Sequence, residues 1–301
     1  MKRIVSFLAF ALICASAAGQ EMGITLTSRS SVAVQDGKFA FSGDYLTIDA
    51  LGHIDDNFSV AVRQHLNRPV TKSDIFEATD WAFITWTWED RFEVSAGKIA
   101  TAYGAAENDR NGWDVFRYSD NIESLNRYRP GVNLGYKLSD NDYFQVQFTR
   151  SPYALWDNPQ LIAVNIGWRA FRDSWMPLAS CNFFQTGKGE FQHHLAMGNT
   201  FNIGDFDISA DVALRSRLGY FDYFKMISFT GEFWWKASEE FKVTGKLSLD
   251  KDNLTVGCGA LYYPAKDVRA HAMFYVCNGV PYATVGATWA LNIIGKNSNI
   301  R

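Results

Sequence analysis

Several basic side chains occupy the polar positions of segments in which apolar and polar residues alternate. Because alternate residues of a strand point to opposite sides, these cations would share one surface with other polar residues. An arginine at such a position can bind an oxyanion, because its planar guanidinium group donates two parallel hydrogen bonds. The alternative is that the cations pair with acids of the same surface, as Glu232 would with Lys246 across the turn at residues 238–239. The cations are Arg63, Lys137, Arg169, Arg215, Lys242, Lys246 and Arg269.

A second group of charges lies between residues 100 and 129, where the alternation stops. Basic and acidic residues are nearly balanced there, four against five. The basic residues are Arg110, Arg117, Arg127 and Arg129, and the acidic ones are Glu107, Asp109, Asp114, Asp120 and Glu123.

Patterns typical of catalysis or metal binding do not stand out. No G-x-S-x-G motif is evident and no histidine is paired with a serine by spacing, so we predict no catalytic residue. His193 and His194 are adjacent and would point to opposite sides of a strand, so they cannot chelate one ion together. Cys181, Cys258 and Cys277 are too widely spaced for a metal site or a disulfide framework. We expect neither a metal nor a cofactor.

The first twenty residues have the order of a cleavable signal peptide. A positive start precedes an apolar run at residues 4–14, and small residues follow at 15–17. The run is shorter than the ~20 residues that span a bilayer as a helix. Cys14 is a poor lipidation site, because no small residue stands directly before it. We therefore expect export, with residues 1–20 as the signal peptide and residues 21–301 as one domain.

Composition excludes two classes of protein. The chain has 29 basic and 32 acidic residues, and two of the basic ones lie in the predicted signal peptide, so nucleic acid is not an expected partner. Aromatic residues make up 15% of the chain although its mean hydropathy is slightly negative. That combination disfavours a helical membrane protein and suits strands that are apolar on one side only.

Almost the whole remaining chain repeats one unit, an alternating segment followed by a turn rich in Asp, Asn, Gly or Ser. In residues 206–214, for example, Ile208 and Val212 fall on one side while Ser209 and Asp211 fall on the other. Alternation with a period of two residues, bounded by such turns, predicts half-buried strands. The chain is therefore predicted to be all-β.

Two features favour a membrane barrel over a soluble sandwich. Segments 206–214 and 283–293 have 9 and 11 residues, within the ~9–11 that a tilted membrane strand requires. Five segments begin with a phenylalanine soon after a tight turn, which would form an aromatic girdle if those turns share a rim. The barrel must be closed, because the backbone N–H and C=O groups at an open sheet edge would find no hydrogen-bond partners in lipid. The phenylalanines are Phe58, Phe92, Phe144, Phe206 and Phe241.

Counting alternating segments predicts a single antiparallel barrel of about sixteen strands. The first two segments and the pair around Cys181 and Ala196 have the weakest alternation, so fourteen strands is the alternative. Both numbers are even, as an antiparallel barrel with both termini on one side requires. The predicted strand centres lie near residues 28, 45, 62, 84, 95, 134, 147, 165, 180, 196, 211, 229, 245, 259, 273 and 287.

One connection, residues 100–129, is far longer than the usual 2–6 residues. It follows the fifth predicted strand, and we predict that it folds into the barrel as a constriction loop. Charged groups at the narrowest point of a pore set its selectivity. The predicted constriction and solute-binding residues are therefore Arg110, Arg117 and Arg127 of this loop, together with Lys98, Arg63, Arg169, Arg215, Lys242 and Lys246.

The chain resembles the family of phosphate-selective porins O and P. The resemblance extends over most of the mature chain through short motifs whose order and spacing agree. The motifs are Ala96-Gly97-Lys98, Tyr103-Gly104, Glu107-Asn108-Asp109, Phe144-Gln145-Val146-Gln147, Ser151-Pro152, Leu195-Ala196-Met197-Gly198-Asn199 with Phe201, then Gly257, Gly259, Tyr262 and Pro264, and finally residues 285–291.

This resemblance implies a homotrimeric barrel in the outer membrane that passes small solutes, with a preference for anions such as phosphate. Residues 100–129 contain nearly equal numbers of basic and acidic residues, which does not favour strong selectivity for phosphate. We expect an outer-membrane porin for passive diffusion of small hydrophilic solutes, with membrane lipid as its surroundings. A receptor or adhesin barrel is the alternative, although such barrels usually need long outward loops or a plug. A membrane hydrolase is a more distant alternative.

Overall fold

A computed structural model describes most of the chain after the predicted signal peptide. Residues 1–20 lie outside the described part, so the signal peptide stays a prediction. The described ranges are residues 22–35, 37–68, 78–154, 160–217 and 223–294.

Sixteen strands form a closed antiparallel barrel, which confirms the predicted fold class. Each strand pairs with its neighbours in sequence, and the first strand closes onto the last through twelve residue pairs between Ile24 and Gln35. The observed strands contain all sixteen predicted centres, and the weakly alternating pairs are strands too. The strands are β1 (Met22–Gln35), β2 (Lys38–His53), β3 (Phe58–His65), β4 (Thr79–Trp88), β5 (Phe92–Ala100), β6 (Tyr128–Ser139), β7 (Asp142–Arg150), β8 (Ile162–Ala170), β9 (Trp175–Gly187), β10 (Glu190–Ile203), β11 (Phe206–Arg217), β12 (Ile227–Lys236), β13 (Phe241–Asp250), β14 (Asn253–Ala265), β15 (Val268–Cys277) and β16 (Val280–Ile294).

The pleat sorts side chains between the outside and the inside of the barrel. In β13, Leu247 and Leu249 are exposed on the outside, whereas Lys246 and Ser248 are buried inside. Most of the large apolar side chains that are exposed lie on outward positions of the strands. This arrangement is the reverse of a water-soluble protein, in which apolar side chains face the interior. The outer surface therefore suits hydrocarbon.

The even-to-odd connections, such as β2 to β3 and β4 to β5, all lie at one end of the barrel, here called the turn rim. The five predicted girdle phenylalanines lie near this rim. Phe58 stacks on Trp86 at a centroid distance of 6.5 Å, and Phe206 stacks on Trp235 at 6.0 Å. The turn rim thus carries the aromatic belt typical of a membrane interface.

The opposite end, the loop rim, carries the odd-to-even connections, including the long one after β5. That connection contains two single-turn helices, α1 (Ala106–Asp109) and α2 (Asp120–Glu123), and a 3₁₀ turn precedes β12 at Tyr223–Met226. Within the described residues, no helix combines the length and apolar character needed to cross a bilayer.

Candidate functional site

Residues 101–127, here called the interior loop, contact inward-facing side chains of the barrel. The loop closes at its base, where the Thr101 N–H donates to the Arg127 carbonyl at 2.7 Å. The Gly104 N–H donates to the Ser180 hydroxyl at 2.8 Å. A Cβ on Gly104 would clash with the backbone of Ala179 and Ser180, so only glycine lets the loop lie this close to β9.

Asp211 of β11 holds the next turn of the loop. Its carboxylate accepts hydrogen bonds from the backbone N–H groups of Ala106 at 2.7 Å and Glu107 at 3.0 Å. Gly198 of β10 lies beside this contact, and a Cβ there would lie 2.6 Å from the Ala106 nitrogen. These contacts fix α1 directly against the inside of the barrel.

A buried cluster of four charges joins α1 to strands β12 and β13. Lys246 forms an ion pair with Glu107 and a second one with Glu232 at 2.9 Å. Arg110 pairs with the same Glu232 at 2.9 Å. Glu107 also accepts from the N–H and hydroxyl of Ser119 at 2.7 and 2.6 Å. Two acids and two bases therefore neutralise one another between the loop and the barrel.

The far end of the loop is held by arginines of β1 and β15. Arg29 donates to the Val115 carbonyl at 2.9 Å, and Arg269 donates to the Trp113 carbonyl at 2.5 Å and pairs with Asp114. The interior loop therefore contacts the inside of the barrel mainly from β9 around to β1, and it also reaches β7, where the Ala102 N–H donates to the Gln147 side chain at 2.8 Å.

Strands β3 to β8 leave a cavity of about 270 Å³ beside the interior loop. Four arginines and one acid, Asp109, are its charged residues. Neutral amides, aromatic rings, hydroxyl groups and aliphatic side chains make up the rest of the lining. The lining residues are Arg63, Trp81, Phe83, Ser95, Ile99, Ala100, Thr101, Ala102, Asn108, Asp109, Arg110, Asn111, Arg127, Tyr128, Asn133, Gln145, Gln147 and Arg169.

Two more of these arginines have carboxylate partners, as Arg110 does. Arg63 pairs with Asp49 at 2.5 Å and lies over the Trp81 ring at 3.8 Å from its centroid. Arg169 pairs with Asp109 at 3.1 Å. Each pair still directs a guanidinium toward the cavity.

Arg127 differs, because no described carboxylate lies within ion-pair distance of it. Its guanidinium instead lies over the Tyr118 ring at 4.1 Å and the Tyr128 ring at 5.6 Å. Burial lowers the pKa of Arg127, but its interactions with Tyr118, Tyr128 and Asp80 outweigh burial, and the net pKa is raised. Arg127 therefore stays charged.

A second cavity, of about 330 Å³, lies nearer the loop rim, and Arg127 and Tyr128 line it as well. These two residues thus mark the junction between the cavities. The charges of the second cavity balance, with Arg29, Arg68 and Arg127 against Asp44, Asp80 and Glu123.

The structure brings four of the nine predicted site residues together: Arg63, Arg110, Arg127 and Arg169 line the first cavity. The charge count of the loop was a poor guide, because Glu107 and Asp114 are bound to basic side chains of the barrel.

The other five predicted residues line neither cavity. Lys246 is buried in the charge cluster, which agrees with the alternative that it is part of the barrel structure. The Lys242 Nζ lies over the Tyr263 ring, 5.6 Å from its centroid. Arg215 lies opposite His194 on the neighbouring strand. The Arg117 carbonyl accepts from Lys246 at 2.7 Å. Lys98 lies beside Ala82 and Pro130, on the outward side of β5.

Sequence reasoning missed the aromatic residues of the first cavity. Trp81 lies in a segment where apolar residues outnumber polar ones, so alternation gave no sign that its ring faces inward. Tyr128 lay within the predicted loop, and the structure places it at the start of β6. Gln145 and Asn133 did have a signal, the polar positions of clearly alternating strands.

His193 and His194 point to opposite sides, as predicted: His194 packs on Phe184, and His193 packs on Phe183. All three cysteines in the described part of the chain are free. No group of three His, Cys, Asp or Glu residues in that part could hold a metal ion.

Comparison with known proteins agrees with the predicted resemblance. The family model described as phosphate-selective porin O and P matches residues 33–159, which confirms the resemblance over that stretch. No curated protein sequence matches the chain.

Solved structures of outer-membrane proteins share the fold. OmpT of Vibrio cholerae, in vitro folded and in a trimer form, has a TM-score of 0.67 at 13% identity, covering 90% of this chain and 99% of that one. A five-residue mutant of Rh. blastica porin has a TM-score of 0.67 at 14% identity, covering 90% of this chain and 100% of that one. At such identities the likeness concerns the fold.

Proposed function

We propose that this protein is an outer-membrane porin through which small hydrophilic solutes diffuse passively, with a preference for anions. The single observation that carries the proposal is the arginine-lined cavity inside a closed barrel whose outer surface is apolar. An apolar exterior and a polar, water-accessible interior are what a pore through lipid requires.

The anion preference rests on which charges face the cavity. Four guanidinium groups and one carboxylate line it. Three of the arginines have acidic partners, and Asp49 and Glu232 lie behind the cavity lining. Arg127 adds a cation without a described acidic partner at the junction of the two cavities. Charged groups at the narrowest part of a pore set its selectivity.

The interior loop acts as the constriction in this proposal. The loop also touches β7 and β8, where the Ala102 N–H donates to Gln147 at 2.8 Å and Asp109 pairs with Arg169 at 3.1 Å, and the first cavity lies beside these contacts. A solute would pass Arg127 and Tyr128 on its way between the cavities. Residues 1–20 would direct export and then be removed. The family resemblance and the trimer form of OmpT from Vibrio cholerae support a homotrimer.

Planar-bilayer recording tests the proposal. Protein without residues 1–20, refolded in detergent and added to a bilayer, should give discrete conductance steps in KCl. With a KCl gradient, the reversal potential should have the sign that chloride permeation produces. The absence of steps from correctly folded protein would contradict a pore, and a cation-selective reversal potential would contradict the anion preference alone.

A further inference from the structure

The first cavity offers more than positive charge to a solute. The rings of Trp81 and Tyr128 meet edge to face, with centroids 5.7 Å apart, and line one side of it. An aromatic surface of this kind contacts the apolar face of a solute. A compact inorganic anion, which has no apolar face, gains nothing from it.

Several buried polar atoms of the cavity-lining residues lack a hydrogen-bond partner among the described residues, and two of them belong to Asn133 and Trp81. Asn133 is only 7% exposed, yet its Oδ1 is unpaired, and the Trp81 Nε1 is buried and unpaired as well. Buried polar groups in folded proteins are almost always hydrogen-bonded. Both atoms are fully buried, so a solute in the cavity would pair with them only after the side chains around them shift.

Further amides of the lining are available to a solute. Asn108 and Asn111 make no side-chain hydrogen bond within the described ranges, and only the Oε1 of Gln145 is engaged, accepting from Gln147 at 3.5 Å. An amide both donates and accepts, so it matches a hydroxyl group, which does the same. Aromatic rings and amides together form an amphipathic lining.

The charge balance of the cavity fits a solute with one negative charge. Arg63, Arg110 and Arg169 are each paired with a carboxylate at 2.5–3.1 Å. Arg127 has no carboxylate partner among the described residues, so its guanidinium is available to a solute. A guanidinium binds one carboxylate through two parallel hydrogen bonds. The volume of about 270 Å³ is just below the ~300–1,000 Å³ of drug-sized sites.

We propose that the cavity binds a hydroxylated organic monoanion of monosaccharide size, such as a sugar acid. Its carboxylate would bind Arg127, its apolar face would lie on Trp81 and Tyr128, and its hydroxyl groups would bind the amides. This inference rests on the proposed function and names a substrate class for that pore.

Blocking of the ion current by added solutes tests this inference. Sodium glucuronate is the probe, glucose is its uncharged counterpart, and inorganic phosphate is an anion without an apolar face. Each is titrated into bilayers that contain the full mature protein in KCl. We expect glucuronate to reduce the conductance at a concentration about tenfold or more below that of either control.

Trp81→Leu removes the aromatic surface and should raise the half-blocking concentration of glucuronate roughly two- to tenfold, while that of phosphate stays the same. Trp86→Leu is the matched control, since Trp86 lies on the outward side of the same strand and is 41% exposed. Where Trp81→Leu fails to fold, Gln145→Ala tests the amide contact in the same assay.

The outcomes separate this inference from the proposed function. Normal channels that glucuronate does not block would overturn the sugar-acid site and leave the pore intact. Equal block by phosphate and glucuronate, unchanged in Trp81→Leu or Gln145→Ala, would mean that the cavity responds to charge alone. Correctly folded protein without conductance would overturn both.

Discussion

The two sides of the barrel interior carry similar polar residues and use them differently. On the side of β9 to β15, Ser180 and Asp211 accept hydrogen bonds from backbone N–H groups of the interior loop. On the side of β3 to β8, Arg63, Asn133 and Gln145 line an open cavity. The course of the loop, and not the residue type, decides which polar side chains are structural and which can meet a solute.

Two lysines of β13 show this contrast most directly. Lys242 and Lys246 are four residues apart on the same strand and have the same inward parity. Lys246 is 7% exposed and bound by two carboxylates, whereas Lys242 is half-buried and lies over Tyr263. The pattern of the sequence does not distinguish them.

Replacing Lys246 should have the largest effect. Lys246→Met removes the cation that Glu107 and Glu232 share and leaves two buried carboxylates under-compensated. Loss of one partner from a buried ion pair costs about 3–5 kcal/mol, which urea unfolding of the barrel in lipid vesicles would measure. Lys242→Met is the matched control and should stay close to wild type. Equal stability of the two variants would contradict the structural role of Lys246.

Asp211→Ala should weaken the attachment of the loop to β11. The N–H groups of Ala106 and Glu107 would lose their acceptor, and an unsatisfied buried donor costs about 1–3 kcal/mol. We expect a noisier single-channel conductance, because the released loop can move into the open part of the barrel. Asp207→Ala, on the same strand, removes an exposed carboxylate that accepts no hydrogen bond from the loop. A conductance in Asp211→Ala as quiet as in that control would argue against the tether.

Arg127→Ala should reduce the preference for anions. Two charges 4 Å apart interact by about 1 kcal/mol in water, so we expect roughly a fivefold fall in the anion-to-cation permeability ratio, measured from the reversal potential. Arg127→Lys keeps the charge and should lie close to wild type. Lys242→Ala should shift the potential less, because Lys242 lines neither cavity. An unchanged potential in Arg127→Ala would place the selectivity-determining residue elsewhere.

Asp109→Asn should have the smallest effect on stability. The pair with Arg169 is 33% and 38% exposed, and exposed pairs contribute about 0–1 kcal/mol. The same change removes the carboxylate of the first cavity, so the anion preference should rise while urea unfolding stays within error. Asp205→Asn, in the turn between β10 and β11, is the control for a charge change outside the cavity. A fall in anion preference would contradict the assigned lining.

The sequence predicted the barrel in detail because the signal for it is local. Side chains of a strand alternate with a period of two residues, so the order of apolar and polar residues along β11 or β13 determines which of them face outward. The same rule placed Glu232 opposite Lys246, and the structure confirms this pairing. Alternation therefore indicated the positions of the strands, most of the outward surface and most of the inward-facing residues, but it left the strand number at fourteen or sixteen and gave no sign that Trp81 faces inward.

Only the tertiary structure decided which members of that pool line the cavity. The interior loop has no periodic pattern, and its hydrogen-bond partners lie as far away in sequence as the 76 residues from Gly104 to Ser180 and the 139 residues from Glu107 to Lys246. Contacts over such separations exist only after the barrel has closed and brought distant strands to face one another. For that reason Arg127 and Arg117, alike in the sequence, have different surroundings: Arg127 lines both cavities, and the carbonyl of Arg117 binds the buried charge cluster.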